Sequence, residues 1–479
     1  MSEDALQHVH FIAIGGTGMG SLAGLVKARG IKVSGSDRAL YPPMSTALAR
    51  WGIPVNEGFA PEHVLDDPAD LVVIGNAVRP DNPEAQAAIR AGFRVRSFSD
   101  ALYELAIADK HCLTVSGTHG KTTTTSLCAY LLQATMREPS FLIGGLAENF
   151  GTSFGEGSGE HFVVEGDEYD TAFFDKTPKF LHYHPKTLII TSVEFDHADI
   201  YRDLDHVKSA FRQLVSQMPA DGTVVAALGH AGVRDVVSEA PCEVVGYGLE
   251  EDQSSAGFTF DCVATVLSVR EAGTELTLQS VDGISHRVEI PLFGRFNVEN
   301  AIAALSACER LGVPLAESIS VLPGFLGVKR RQEIRGRVHG VTVIDDFAHH
   351  PTAVRGAIES IRSRFPDARL IAVFEPRTNT SRRRVFQEQY VSALEAADRV
   401  VVFRVPEEPI YSATGEVTEL FSADQLVASL RTHDVRADVF GAVQEIVDSV
   451  AQDRREGDVV LVMSNGAFGN IWERLLEAL

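Results

Sequence analysis

Short apolar runs recur along this chain, each closed by glycine or polar residues and followed by a segment with helical spacing. Such runs predict buried parallel strands alternating with helices. The clearest is Cys112–Val115. Gly117, Thr118, His119 and Gly120 then turn the chain, and Lys121 with the run Thr122–Thr125 opens a helix whose apolar face continues through Leu127, Tyr130 and Leu131. The same rhythm comes earlier. A strand over His10–Ile14 leads into Gly15-Gly16-Thr17-Gly18-Met19-Gly20 and a helix over Ser21–Ala28, then a strand over Ile31–Ser34 with Asp37 behind it. It comes again later, with strands over Val341–Ile344, Leu370–Phe374, Arg399–Phe403 and Val459–Met463. Between these stretches the period changes. Val244–Gly248, Phe258–Val269, Glu275–Ser280 and His286–Ile290 alternate apolar and polar residues, with turns at Gly257, Gly273 and Asp282-Gly283. Period-two alternation between such turns predicts hairpins. The expected fold is α/β with three domains: a Rossmann-like domain over residues 1–110, a central phosphate-loop domain with a β-rich appendage over 111–323, and a second Rossmann-like domain over 324–479, its start marked by Pro323-Gly324.

Strand, glycine turn, lysine-threonine and helix is the grammar of a phosphate-binding loop. Glycines let backbone N–H groups approach phosphate oxygens, and the helix N-terminus adds roughly half a positive charge. In that reading Ser116 to Thr123 cradle a nucleotide, Lys121 reaches its outer phosphates and the Thr122 hydroxyl faces Mg²⁺. Glu165 ends the apolar run His161–Val164, and Glu194, Asp196, His197 and Asp199 follow the run Leu188–Ser192. Carboxylates and a histidine at the carboxyl ends of strands stand where α/β proteins bind ligands, and oxygen donors there suit Mg²⁺. The glycines at 15–20 with Asp37 are compatible with NAD or with the pyrophosphate of another nucleotide. Asn297 and Asn300 share a face at a helix start. Lys329, Arg330 and Arg331 form a dense positive run just beyond the last domain boundary.

Composition narrows the field. The chain has 479 residues, is 45% hydrophobic and carries a net charge of −22. An acidic surface argues against nucleic acid or an anionic membrane as partner, so an anionic substrate must be held by local cations. The five cysteines are scattered and never in C-x-x-C, as expected of free thiols in a reducing cytoplasm. The opening residues M-S-E-D-A-L-Q-H have no apolar signal core, and no run approaches the ~18 apolar residues of a membrane span. Two other classes fit less well. A nicotinamide oxidoreductase leaves the second phosphate loop unexplained, and a nucleotide switch leaves the strand-end carboxylates and Arg331 unexplained.

G-T-H-G-K-T-T, V-E-G-D-E, E-F-D-H-A-D, G-R-F-N-V-E-N, K-R-R and D-D-F-A-H-H-P occur in the order found in the Mur ligases, which build UDP-N-acetylmuramoyl-peptides. The resemblance spans all three domains. It implies an ATP- and Mg²⁺-dependent carbon–nitrogen ligase of peptidoglycan metabolism, a monomer or weak homo-oligomer in the cytoplasm. It implies that Lys121, Glu165, His197 and Arg331 serve catalysis, that Thr122 and Glu165 hold one Mg²⁺ and His197 a second, and that Asn297, Asn300 and Asp346 contact the nucleoside. The turn Gly15–Gly20 with Asp37 would then hold a UDP-sugar rather than NAD. Phe173–Pro185, E-F-D-H-A-D-I and M-S-N-G-A-F-G most resemble members that add L-Ala-γ-D-Glu-meso-diaminopimelate to UDP-N-acetylmuramate in murein recycling; the alternative is addition of L-alanine. The tripeptide would meet Arg377, Thr378, Asn379 and Arg382 at one strand end and Ser464, Asn465, Gly466 and Phe468 at another.

Overall fold

His8–Ile12 is the middle strand of a five-stranded parallel sheet, flanked by Lys32–Asp37 and Val55–Glu57 on one side and by Leu71–Ile74 and Val95–Ser97 on the other. The computed structural model describes residues 6–41, 44–256, 259–270, 272–406, 408, 410–412 and 415–479; the first five residues, the turn at Gly257 and the strand start at Phe258 lie outside them. The first strand ends two residues earlier than its apolar run suggests. Ala13 takes a left-handed φ of 66°, and the N–H groups of Ala13 and Ile14 both turn to the Ser36 carbonyl. The helix therefore starts at Thr17 instead of Ser21. Gly18, Met19 and Gly20 are helical, and a side chain on Gly20 would strike Met44 Sδ at 2.2 Å. Gly20 is thus a packing glycine, not part of a ligand loop.

The central sheet has ten strands. Its parallel heart places His111–Ser116 between Thr187–Ile190 and His161–Gly166, with Ser116 in register with Ile190 and Gly166. Thr223–Ala227, Glu243–Leu249 and Cys262–Arg270 extend it in parallel, and the antiparallel strands Gly273–Gln279 and Ser285–Ile290 close that edge. The β-rich appendage is therefore hydrogen-bonded onto the central sheet. Helix Thr17–Ala28 packs against Ser140–Ala147 and Thr152–Gly155 of the central sheet. Ser21 bonds Ser153 at 2.6 Å, and the Trp51 and Phe154 rings meet at 5.0 Å. One continuous apolar core runs from Val9 in the first sheet to Val328 beyond the second.

The third sheet orders Glu333–Val338, Val341–Asp346, Val459–Met463, Leu370–Phe374, Arg399–Phe403 and Arg436–Phe440, antiparallel only at the first pair. It has separate apolar cores on its two faces. The chain stays on the central domain past Pro323-Gly324: Val328 bridges Ala147, and Lys329 N–H donates to Leu146 O at 3.0 Å. Arg330 and Gln332 then take left-handed φ values of 62° and 52° on either side of Arg331. Left-handed non-glycine residues cost of order 1 kcal/mol each, so neighbouring contacts must hold this connection. Arg330 supplies several, donating to Asp345, Ser464 O and Gly466 O.

Candidate active site

The phosphate loop leaves its strand at Ser116 and is hung from the next strand. Thr118 N–H donates to Ser192 O and His119 N–H to Ser192 Oγ, both at 2.9 Å. Gly120 has φ 80°, and a side chain there would meet Asn300 Oδ1 at 2.4 Å, so both conformation and space require glycine. Lys121 folds back over the turn. Its Nζ donates to Gly117 O at 2.7 Å and to both oxygens of Glu168, at 3.0 and 2.8 Å. Glu168, only 2% exposed, also meets His197 Nε2 at 2.9 Å, so one buried carboxylate serves two cations. Burial opposes ionisation of both Lys121 and Glu168, but their attraction wins: the lysine is held above and the glutamate below its ordinary range. Burial also works against His197, yet Asp196 and Glu168 push it up to about 9, so the ring is an imidazolium here.

Glu165 stands differently. One oxygen accepts from Thr122 Oγ1 at 3.1 Å and the other from Gly144 N–H at 2.9 Å. Burial raises its proton affinity, with Lys121 opposing from a distance. Among the described residues it has no ion-pair contact. A half-buried carboxylate without an ion-pair partner, beside a hydroxyl, is a fitting oxygen set for Mg²⁺. Arg331 reaches this spot from the third domain, donating to Thr122 Oγ1 at 3.3 Å and stacking on Phe347 at 4.9 Å.

A cavity of about 550 Å³ joins these groups, with Gly16 to Met19 from the first domain on one wall and Asn297, Arg331 and Asp346 on another. Asn300 is buried and accepts from Thr124 Oγ1 at 3.0 Å while donating to Asn297, so it braces the loop helix. Both oxygens of Asp346 are taken by backbone N–H groups, of Gln332 and Ala348. Gly15 and Asp37 stand apart from this cavity. Gly15 N–H donates to Asp37 at 2.7 Å, and Asp37 lines an adjoining hollow of about 450 Å³ with Gly16 and Asn76.

The proposed peptide residues divide. Arg377 and Phe468 line a hollow of about 440 Å³ in the third domain with Arg382. Arg377 is exposed, lies against Gly466, and has no hydrogen-bond or ion-pair partner among the described residues. Arg382 is tied to Pro406 O and Glu408 O, and Thr378 to Ser381. Asn379 is exposed, and Asn465 is half-buried, its Oδ1 unbonded among the described residues. Two expectations need correcting. Ser464 is fully buried, bonded to Glu375, and its Oγ accepts the Gly466 N–H at 2.9 Å, so that amide is not free for a ligand carboxylate. Phe468 is 3% exposed and packs edge-on against Phe403, an apolar wall rather than a polar contact. Glu168, His349 and the pair Asp167–Lys179, joined at 2.6 Å, went unread in the sequence. Only the acidic run V-E-G-D-E-Y-D signalled the first of these, without marking which carboxylate faces the lysine.

Three family profiles match in succession: Mur ligase family, catalytic domain, over residues 8–110; Mur ligase middle domain over 115–308; and Mur ligase, glutamate ligase domain, over 330–466. The UDP-N-acetylmuramate–L-alanyl-γ-D-glutamyl-meso-2,6-diaminoheptandioate ligase of Escherichia coli K12 is 36% identical over 98% of both chains. The chain belongs to the Mur ligase family. This Mur ligase is also 36% identical to the UDP-N-acetylmuramate–L-alanine ligase of Paenarthrobacter aurescens, over 99% of this chain and 98% of that one. A murein peptide ligase from Psychrobacter arcticus superposes with a TM-score of 0.72 at 30% identity, over 98% of each chain. Members of the family are ATP-dependent ligases, and so is this one. Among the described residues no helix is long and apolar enough to cross a membrane.

Proposed function

We propose that this Mur ligase joins L-Ala-γ-D-Glu-meso-diaminopimelate to the lactyl carboxylate of UDP-N-acetylmuramate, consuming ATP. The γ-phosphoryl group passes to a carboxylate oxygen, the peptide amine attacks the acyl carbon, and phosphate leaves with the C–O bond electrons. Such a transfer needs positioning and charge neutralisation more than acid–base groups. Lys121 and Arg331 supply fixed positive charge on two sides of the cavity. Lys121 must exchange Glu168 for phosphate oxygens as ATP enters, and Glu168 keeps His197 as partner. Thr122 and Glu165 would hold one Mg²⁺, and His197, once deprotonated, a second; bound there, the cations neutralise charge on the phosphates. The helix start at Gly16–Met19 faces the same cavity and would hold the UDP-sugar, with Asp37 in the adjoining hollow.

The observation that carries the choice of amine substrate is Arg377, an exposed guanidinium with no acidic partner among the described residues, at a hollow wide enough for a peptide end. A planar fork of donors suits a carboxylate of the diaminopimelate centre. L-Alanine would need no such distant cation. Phosphate release from ATP with UDP-N-acetylmuramate, compared for tripeptide and L-alanine, tests the reading. The expected result is a higher kcat/KM for the tripeptide, lowered by Arg377→Ala without change in the UDP-N-acetylmuramate KM. Equal or better use of L-alanine would make the enzyme an L-alanine ligase instead.

A further inference from the structure

Away from the Thr122–Glu165 oxygens, two imidazoles and a carboxylate converge on the seam between the phosphate loop and the third domain. His119 comes from the loop, Glu194 from the segment after strand Thr187–Ile190, and His350 from the N-cap of helix Pro351–Arg364. His119 Nε2 lies 3.1 Å from Glu194 Oε2, and His350 Nδ1 lies 3.7 Å from the same oxygen. The three ligand atoms fall within 4.8 Å of one another. Donors about 2.1 Å from one tetrahedral ion stand roughly 3.4 Å apart, and the two shorter edges bracket that spacing.

The surroundings are those of oriented metal ligands. His350 Nε2 faces the Phe195 carbonyl at 3.2 Å. A carbonyl only accepts, so the proton is on Nε2; the Nδ1 lone pair caps the helix, accepting the Thr352 N–H at a long 3.3 Å, and an ion would take the place of that bond. Thr352 Oγ1 donates to Glu194 Oε2 at 2.7 Å and fixes the carboxylate. His350 is 4% exposed. The two rings lie 4.9 Å apart, both turned to one oxygen. Two imidazole nitrogens and one carboxylate oxygen form a donor set for zinc, not for a hard oxygen-seeking cation.

We infer that His119, Glu194 and His350 form a Zn²⁺ site, distinct from the Mg²⁺ set at Thr122 and Glu165, that fastens the third domain to the phosphate loop. Water completes the fourth position. The test uses full-length enzyme stripped with a chelator and titrated calorimetrically with Zn²⁺ in excess Mg²⁺, then with Co²⁺ read optically. One equivalent of Zn²⁺ should bind, and Co²⁺ should give the intense visible bands of a tetrahedral site. His350→Ala and Glu194→Gln should each weaken Zn²⁺ binding beyond the roughly 10–100-fold that loss of an outer-shell partner costs, while His197→Ala leaves it unchanged. A weak octahedral cobalt spectrum from the unsubstituted enzyme would overturn the assignment, and needs no variant to fold. Loss of zinc in His197→Ala with retention in His350→Ala would overturn it too.

Discussion

Lys121 and Glu168 should respond to substitution in opposite orders for stability and for rate. In Lys121→Met the carboxylate of Glu168 loses contacts at 3.0 and 2.8 Å but keeps His197 at 2.9 Å. Breaking a buried pair costs roughly 3–5 kcal/mol when the remaining charge is left alone. With the imidazolium still in place, about 2 kcal/mol is the expected loss. Glu168→Gln removes the one carboxylate that both cations contact and leaves Lys121 and His197, the latter still supported by Asp196, facing a neutral side chain 2% exposed, so its cost belongs at the upper end, about 4–5 kcal/mol. For the reaction the order reverses. Losing the lysine charge from the transferring phosphoryl group should cost about 3–4 kcal/mol, or 10²–10³ in kcat. Glu168→Gln keeps that charge and should slow turnover only about tenfold. Urea unfolding and phosphate release on the two variants settle the matter. A Glu168→Gln protein as stable as Lys121→Met, or a Lys121→Met enzyme within tenfold of normal kcat, would refute the two-cation account of this carboxylate.

Arg331→Lys should fail to rescue Arg331→Ala, both losing about 10²-fold in kcat, because an ammonium cannot both stack on Phe347 and reach Thr122; steady-state rates with the tripeptide check it. Gly466→Ala would put a methyl 1.6 Å from Arg377 Nη1 and must push the guanidinium aside, so the tripeptide KM should rise severalfold while that for UDP-N-acetylmuramate holds. Burial, then the nearby His161 and Lys186, lower His111 from 6.5 to about 4. The unfolded chain therefore takes up this proton first: the contribution is intact above pH 6.5 and is lost as pH falls toward 4. The full shift would be worth about 3 kcal/mol, but the ring is only part-buried, so about 1–2 kcal/mol should disappear from urea-derived stability over that window, and less in His111→Gln.

Much of this architecture was legible because its signals are local. An apolar strand, two glycines forced to positive φ and a lysine-threonine helix start allow few other readings, and Thr122 meets Glu165 there while Lys121 turns to Glu168 instead. The errors have equally local causes. A single left-handed Ala13 cut the first strand short and moved Gly20 into a helix, and nothing in alanine's chemistry announces that conformation. What stayed hidden is long-range: Glu168 is one of several acids in a short run, and Thr352 finds Glu194 across 158 positions. The Arg330–Gln332 connection was equally unreadable, since its strain is held in part by Ser464 and Gly466, 134 and 136 positions from Arg330.

The unbroken apolar core beneath helix Thr17–Ala28 has a consequence for how the molecule comes apart. Surfaces that share one core lose it together, so the five-stranded and ten-stranded sheets should melt as one calorimetric unit despite their separate topologies. The last sheet, with its own two cores, should melt as another. A protease would then open this chain around residues 329–332 before it could divide the first 110 residues from the next two hundred or so, and the larger product would keep the phosphate loop while losing Arg331's partner, Phe347.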